Sequence, residues 1–192
     1  MKKTANCLED YGHGITETED NIIVPIKTGA IVRSEVKEIN KGSSGNPGDI
    51  RGVLYKDVEG EILKNTVNGI YGKIQNESLL KEKNTIKALS RNQVKEGNAL
   101  VYCALDGKNV KEYEIVIEKV IYESKGNRSM VVHITDEELL KKTGGIIQGM
   151  SGSPIVQDGK LAGAITHVFL NDATRGYGVF VENMIDDIKD IN

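Results

Sequence analysis

The sequence predicts an all-β fold: two barrel-like halves closed by a short C-terminal helix. Three observations carry this. Short Ile- and Val-rich segments recur along the chain, and β-branched residues suit the pleated surface of a strand. The 192 residues hold 21 glycines but only 2 phenylalanines and no tryptophan, so turns are frequent and the core is aliphatic. A helical period ends the chain, with Met184, Ile185, Ile188 and Ile191 on one side of Asn183 to Ile191.

The elements follow in order. Ile22 to Pro25 and Ala30 to Ile39 read as strands, the second with an imperfect period of two. Lys41 to Asp49 is a glycine-rich turn cluster. It lacks the Gly-Lys-Ser/Thr ending of a phosphate loop. Ile50 to Tyr55, Gly60 to Val67 and Gly69 to Gln75 read as strands with short connections. Ala99 to Leu105 and Val110 to Tyr122 form a hairpin around Asp106-Gly107. In its second arm Tyr113, Ile115, Ile117 and Lys119 alternate with Glu112, Glu114, Val116, Glu118 and Val120. Met130 to Ile134 is a further strand. A short helix then runs to Lys142, with Thr135 as N-cap and Glu138 completing a capping box, and Gly144-Gly145 ends it. Pro154 to Val156 and Leu161 to His167 flank the turn Asp158-Gly159, and Tyr177 to Val181 is the last strand. No linker or repeat interrupts the chain. It reads as one domain, 1–192, whose halves meet near 95–125.

Bulk properties exclude several functions. Charged residues are 28% and hydrophobic residues 39%, which describes a globular chain. Twenty-five basic against 28 acidic side chains give a net charge of −3, so no basic excess exists to neutralise phosphates and nucleic acid is excluded as a partner. No Cys-x-x-Cys or paired histidine spacing predicts a metal, and no cofactor motif is present. Cys7 and Cys103 are compatible with one disulfide or with two thiols. No segment has the length of a transmembrane helix, and the basic start has no apolar core behind it. Taken as a whole natural chain, the sequence predicts a cytoplasmic protein. Taken as an excised domain, it leaves the location open.

The segment that carries chemistry is Gly144-Gly145-Ile146-Ile147-Gln148-Gly149-Met150-Ser151-Gly152-Ser153-Pro154, followed by the strand Gly163-Ala164-Ile165. It has the form Gly-x-Ser-Gly-x-Pro. Glycines allow a tight turn that aims amides at one spot. The Gly149 and Ser151 N–H groups are then the candidate oxyanion hole beside a Ser151 nucleophile. Ser153 reads as support for the turn. A serine hydroxyl needs a base, and His13, His133 and His167 are the candidates. His13 is flanked by Gly12 and Gly14, which leave its ring unobstructed. His133 lies in an apolar strand and reads as a satisfied, half-buried imidazole. Gly145, Ile146, Gln148, Thr166 and His167 are the candidate substrate-binding residues. None is a carboxylate, so a small or apolar substrate side chain is expected.

GHGI near the start and TGGIIQGMSGSPIVQDGKLAGAITHVFLND near the end resemble the stage IV sporulation protein B (SpoIVB) peptidase family. The similarity continues through PIKTGAIVRSEVKEINKGSSGNPGDIRG. The resemblance implies a chymotrypsin-like double β-barrel and a serine endopeptidase. Such an enzyme cleaves a membrane-bound regulator in the space between mother cell and forespore, and so activates a late sigma factor. It implies His13 as general base, Ser151 as nucleophile and Asp136 as the orienting acid. By its local setting alone Asp136 reads as a first-turn helix charge. Asp57 is the rival acid, at an interval after His13 like that of digestive enzymes of this type. The PDZ domain and membrane segment usual in the family are not in this sequence. A protein or peptide substrate follows, with the chain itself a candidate for self-cleavage; oligomeric state is open. The alternative is a catalytically weak barrel that binds a protein or peptide.

Overall fold

A computed structural model describes residues 14–16, 22–43, 45, 48–76, 78–81 and 85–189. His13, Cys7 and Ile191 lie outside the described residues. In the first half β1 (Ala30–Asn40), β2 (Asp49–Thr66) and β3 (Gly69–Ile74) form an antiparallel sheet in that order. The two strands expected at Ile50 to Tyr55 and Gly60 to Val67 are one. Leu54 pairs with Ser34 and Val58 with Val32, so Tyr55, Lys56 and Asp57 bulge opposite Arg33. Their polar character mimics a loop, but a bulge takes up the surplus residues without ending the strand. Of the strand expected at Ile22 to Pro25, only Ile23 is bridged, to Thr16. A short helix, α1 (Ser78–Lys81), follows the sheet.

The second half is a closed barrel. It contains β4 (Gly97–Asp106), β5 (Asn109–Val120), β6 (Met130–Ile134), β7 (Pro154–Gln157), β8 (Lys160–Val168) and β9 (Arg175–Phe180). The strand order is β4-β5-β6-β9-β8-β7, and Leu100–Val156 and Val101–Ile155 pairs close it. Val101, Ile115, Ile117, Met130, Val132, Ile134, Ile155, Ile165 and Phe180 fill the interior. The period-two pattern of β5 holds for Tyr113, Ile115 and Ile117, all buried. A register shift between Ile117 and Lys119 then reverses the faces, so Val120 is buried and Lys119 exposed. The bulge resolves what pure alternation would have done, which is to bury a lysine. At the β7–β8 turn Asp158 and Gly159 both have positive φ, 52° and 69°, as a two-residue hairpin of the right twist requires.

Two further helices flank the barrel. In α2 (Glu137–Thr143) the N-cap is Asp136 and not Thr135. The Thr135 and Asp136 amides both donate to the Glu114 carbonyl of β5, which keeps Thr135 in the extended run from β6 and moves the helix start one residue on. Gly144 ends the helix in the left-handed conformation. The last helix, α3 (Val181–Asp187), starts directly after β9, two residues before the expected Asn183. No helix among the described residues is long and apolar enough to cross a membrane.

Backbone bonds join the halves around the serine loop. Val36 N donates to Gly107 O at 2.9 Å, Ile50 N to Gln148 O at 2.9 Å, and Gln148 N to Gly48 O at 2.8 Å. From α3, the Asp187 carboxylate accepts the Thr66 hydroxyl at 2.5 Å, and its backbone carbonyl accepts Lys64 Nζ at 2.6 Å.

Candidate active site

The loop from Gly144 to Ser153 connects α2 to β7. It is held from inside by Met150, fully buried, whose N–H bonds to Ile147 O and whose carbonyl accepts Ser153 N. Gly152 N donates to Ile165 O, and Ile165 N to Ser153 O, which lays the loop along β8. The half-buried Ser151 is thereby presented at the junction of the halves. Its Oγ donates to the Thr166 carbonyl at 2.6 Å.

Gly149 has φ 96°, a conformation that L side chains adopt only with strain, and a Cβ there would stand 3.0 Å from Ile50 Cβ. Among the described residues neither the Gly149 nor the Ser151 amide has a hydrogen-bond partner. Two unpartnered N–H groups flanking a serine hydroxyl are what stabilisation of an oxyanion needs.

Ser151 and Gly149 open on a cleft of about 230 Å³ between the sheet and the barrel. Val36, Ile50 and Leu54 line it from the sheet, and Tyr102 and Val110 from the barrel. Of the other candidate substrate-binding residues, Thr166 meets Ser151 through its carbonyl, and its hydroxyl donates to Asn127 O at 2.8 Å. Gln148 is exposed and tied through its backbone to Gly48 and Ile50. Gly145 and Ile146 are buried: a Cβ on Gly145 would stand 2.1 Å from Ala173 O, and Ile146 packs against Gly176. His167 is half-buried at the end of β8. None of Gly145, Ile146, Gln148, Thr166 and His167 lines the cleft.

Neither of the two expected acids lines this cleft. Asp136 Oδ1 accepts Leu139 N at 2.9 Å and Oδ2 accepts Glu114 N at 3.3 Å, so both oxygens serve backbone amides. Asp57 lines a separate cavity with Arg33, Tyr55, Glu59 and Lys108. A carboxylate that the sequence did not single out, Glu35 of β1, does line the Ser151 cleft. Lys37 and the Tyr55 hydroxyl hold it below its ordinary value. No local motif marks Glu35; only the folding of β1 over β4 brings it there. His133 meets Glu118 at 3.1 Å, in a network that continues to Arg175 and Asp172, as a satisfied strand histidine would.

His13 lies outside the described residues, but Gly14 to Thr16, which follow it, do not. Ile15 exchanges hydrogen bonds with the Asn65 side chain, N to Oδ1 at 3.0 Å and Nδ2 to O at 2.8 Å. Gly14 is pressed so close to β2 that a Cβ would meet Thr66 O at 2.1 Å. From the next residue, Val67, the carbonyl accepts Asn127 Nδ2 at 3.0 Å. Asn127 O takes the Thr166 hydroxyl, and Thr166 O takes Ser151. Three hydrogen bonds therefore link the Ser151 hydroxyl to the end of β2, beside the segment at Gly14.

Comparison with known proteins agrees with the fold. The fold is similar to that of the Rv3671c protease from M. tuberculosis in its active form, with TM-score 0.52 and 14% identity, over 75% of this chain and 63% of that one. A structure of the inactive form of Rv3671c protease aligns with TM-score 0.50 and 14% identity, over 77% of this chain and 73% of that one. The chain thus spans less than two thirds of the active-form structure. No curated protein matches it. The family described as SpoIVB peptidase S55 matches residues 1–185. A match over nearly the whole length, on a protease-like barrel with its serine loop in place, settles the matter: the chain belongs to the SpoIVB peptidase S55 family, a family of serine peptidases.

Proposed function

We propose that the chain is a serine endopeptidase that cleaves a regulatory, membrane-associated protein between mother cell and forespore, and thereby triggers late sigma-factor activation. The observation that carries the peptidase chemistry is Ser151 with two unpartnered amides at the mouth of a cleft. Ser151 attacks the peptide carbonyl and His13 takes its proton. The tetrahedral oxyanion sits against the Gly149 and Ser151 amides, and His13 returns the proton to the leaving amine. Asp136 serves the site through α2, which it caps and which leads into the serine loop. Family membership supports a protein or peptide substrate and the sporulation setting. The apolar lining from Val36, Ile50, Leu54 and Val110 supports an apolar substrate side chain.

A fluorophosphonate probe tests the chemistry. It labels the wild type at Ser151 and does not label Ser151→Ala; labelling at Ser153 overturns the assignment. In a spore-forming host lacking the native gene, expression of the wild-type protein restores late sigma-factor activity and Ser151→Ala does not. Restoration by Ser151→Ala shows that the signalling does not need the peptidase chemistry and favours a binding module.

A further inference from the structure

We infer that Glu35 is a specificity-determining residue: its carboxylate takes a lysine or arginine of the substrate that stands within two residues of the apolar side chain seated in the Ser151 cleft. The inference rests on the serine-peptidase reading above. Among the described residues that line the cleft, Glu35 is the only charged one, and no Lys, Arg or His shares the lining with it. A carboxylate so placed beside a nucleophile attracts cationic substrate groups and repels acidic ones. Tyr102, also in the lining, donates its hydroxyl to Glu112 at 2.8 Å, which brings a second carboxylate close to the rim. The barrel cations Lys111 and Lys142 both pair with Glu138 instead.

Strand pairing sets the neighbours of this charge. Glu35 lies on β1 opposite Val53 of β2, between Ser34 and Val36, which pair with Leu54 and Gly52. Val36 and Leu54 line the cleft with it, as does Val110 from β5. Leu54 is 68% exposed and Val110 58%, so an apolar surface stays open in the same cleft as the carboxylate. A peptide extended at about 3.3 Å per residue crosses a cleft of about 230 Å³ in about two residues. The substrate's basic and apolar side chains are therefore close neighbours in its sequence.

The carboxylate already holds a cation. Its Oε1 accepts Lys37 Nζ at 2.5 Å, and its Oε2 accepts the Tyr55 hydroxyl at 2.6 Å. Each carboxylate oxygen has two lone pairs, so each keeps one for a further donor. The Glu35 side chain is 24% exposed and that of Lys37 54%. Exposed pairs between flexible side chains are weak, so a substrate ammonium or guanidinium displaces Lys37 readily. Tyr55 stays, and keeps the carboxylate in place when Lys37 leaves. Lys108 sits over the Tyr55 ring, 4.4 Å from its centroid, and is not part of the cleft lining.

Cleavage of a random peptide library, read by mass spectrometry, tests this, followed by kcat/KM on a matched peptide pair. Wild-type cleavage sites are enriched in lysine or arginine within two residues of an apolar position. In a pair differing only by Lys or Glu at the enriched position, kcat/KM favours the Lys peptide by about tenfold. Glu35→Gln abolishes the preference, Glu35→Lys inverts it, and Lys37→Met, which removes the resident cation, strengthens it. Because each result is a ratio within one variant, a general loss of activity cancels. A ratio unchanged in both Glu35 variants overturns the inference and leaves the peptidase reading intact. So does a wild type that a fluorophosphonate labels at Ser151 but that shows no preference for a basic residue. No labelling of the wild type at Ser151 overturns the peptidase reading itself, and this inference with it.

Discussion

The Ser151 hydroxyl donates to the carbonyl of Thr166 across 2.6 Å. Its proton is therefore held by β8, and the proposed mechanism requires the hydroxyl to leave that bond for the imidazole. Ser151→Ala removes both the nucleophile and the tether. It lowers kcat by on the order of 10⁶ with little change in folding, since the loop backbone is held independently by Met150, Gly152 and Ser153. Turnover with a synthetic peptide and a thermal melt check the two halves of this prediction.

Gly149→Ala tests the oxyanion amides. With φ 96° and Ile50 within 3.0 Å of the new carbon, the loop must shift or strain. Stability falls by about 1–2 kcal/mol, while kcat falls on the order of 10²–10³-fold as the Gly149 amide is displaced. An unchanged kcat in a folded variant removes Gly149 from the hole.

Asp136→Ala deletes the cap of α2 and costs about 0.5–2 kcal/mol. The pH dependence of the labelling rate keeps its midpoint, because the carboxylate contacts the Leu139 and Glu114 amides. A kcat loss of about 10⁴-fold in Asp136→Asn, with the melt unchanged, makes Asp136 the partner of the imidazole instead.

Arg175 pairs with Glu118 and Asp172 on the barrel surface. Arg175 holds the Glu118 carboxyl below its ordinary value, and Thr174 with Arg175 does the same for Asp172. A carboxyl lowered by folding stabilises the native state above its unfolded pKa. That contribution is lost as pH falls through the lower, folded value. Arg175→Ala therefore lowers Tm at pH 7, by no more than about 3 °C for such exposed pairs, and the difference from wild type shrinks toward pH 2. A gap that widens in acid contradicts it.

The strands around the serine loop were legible because each announces itself locally. Asp158-Gly159 can turn where few residues can, Gly107 does so one residue later than expected, in a turn of Gly107-Lys108, and Met130, Val132 and Ile134 alternate strictly. The bulges were not. Lys56 and Asp57 looked like a loop, and Lys119 fell on the apolar face, until pairing with β1 and β6 placed the surplus residue. The cap at Asp136 and not Thr135 depends on the Glu114 carbonyl of another strand.

Sequence alone determined that this is an all-β chain and that Ser151 stands in a glycine turn able to free two amides, because backbone conformation at glycine is a local property. It also placed the chain in its family. Only the tertiary structure decided which groups meet Ser151. Thr166, which accepts its hydroxyl, and Glu35, which lines its cleft, are far from each other along the sequence and share no motif. They are brought to the same junction because a three-stranded sheet packs against a closed barrel, and that contact has no trace in any one segment.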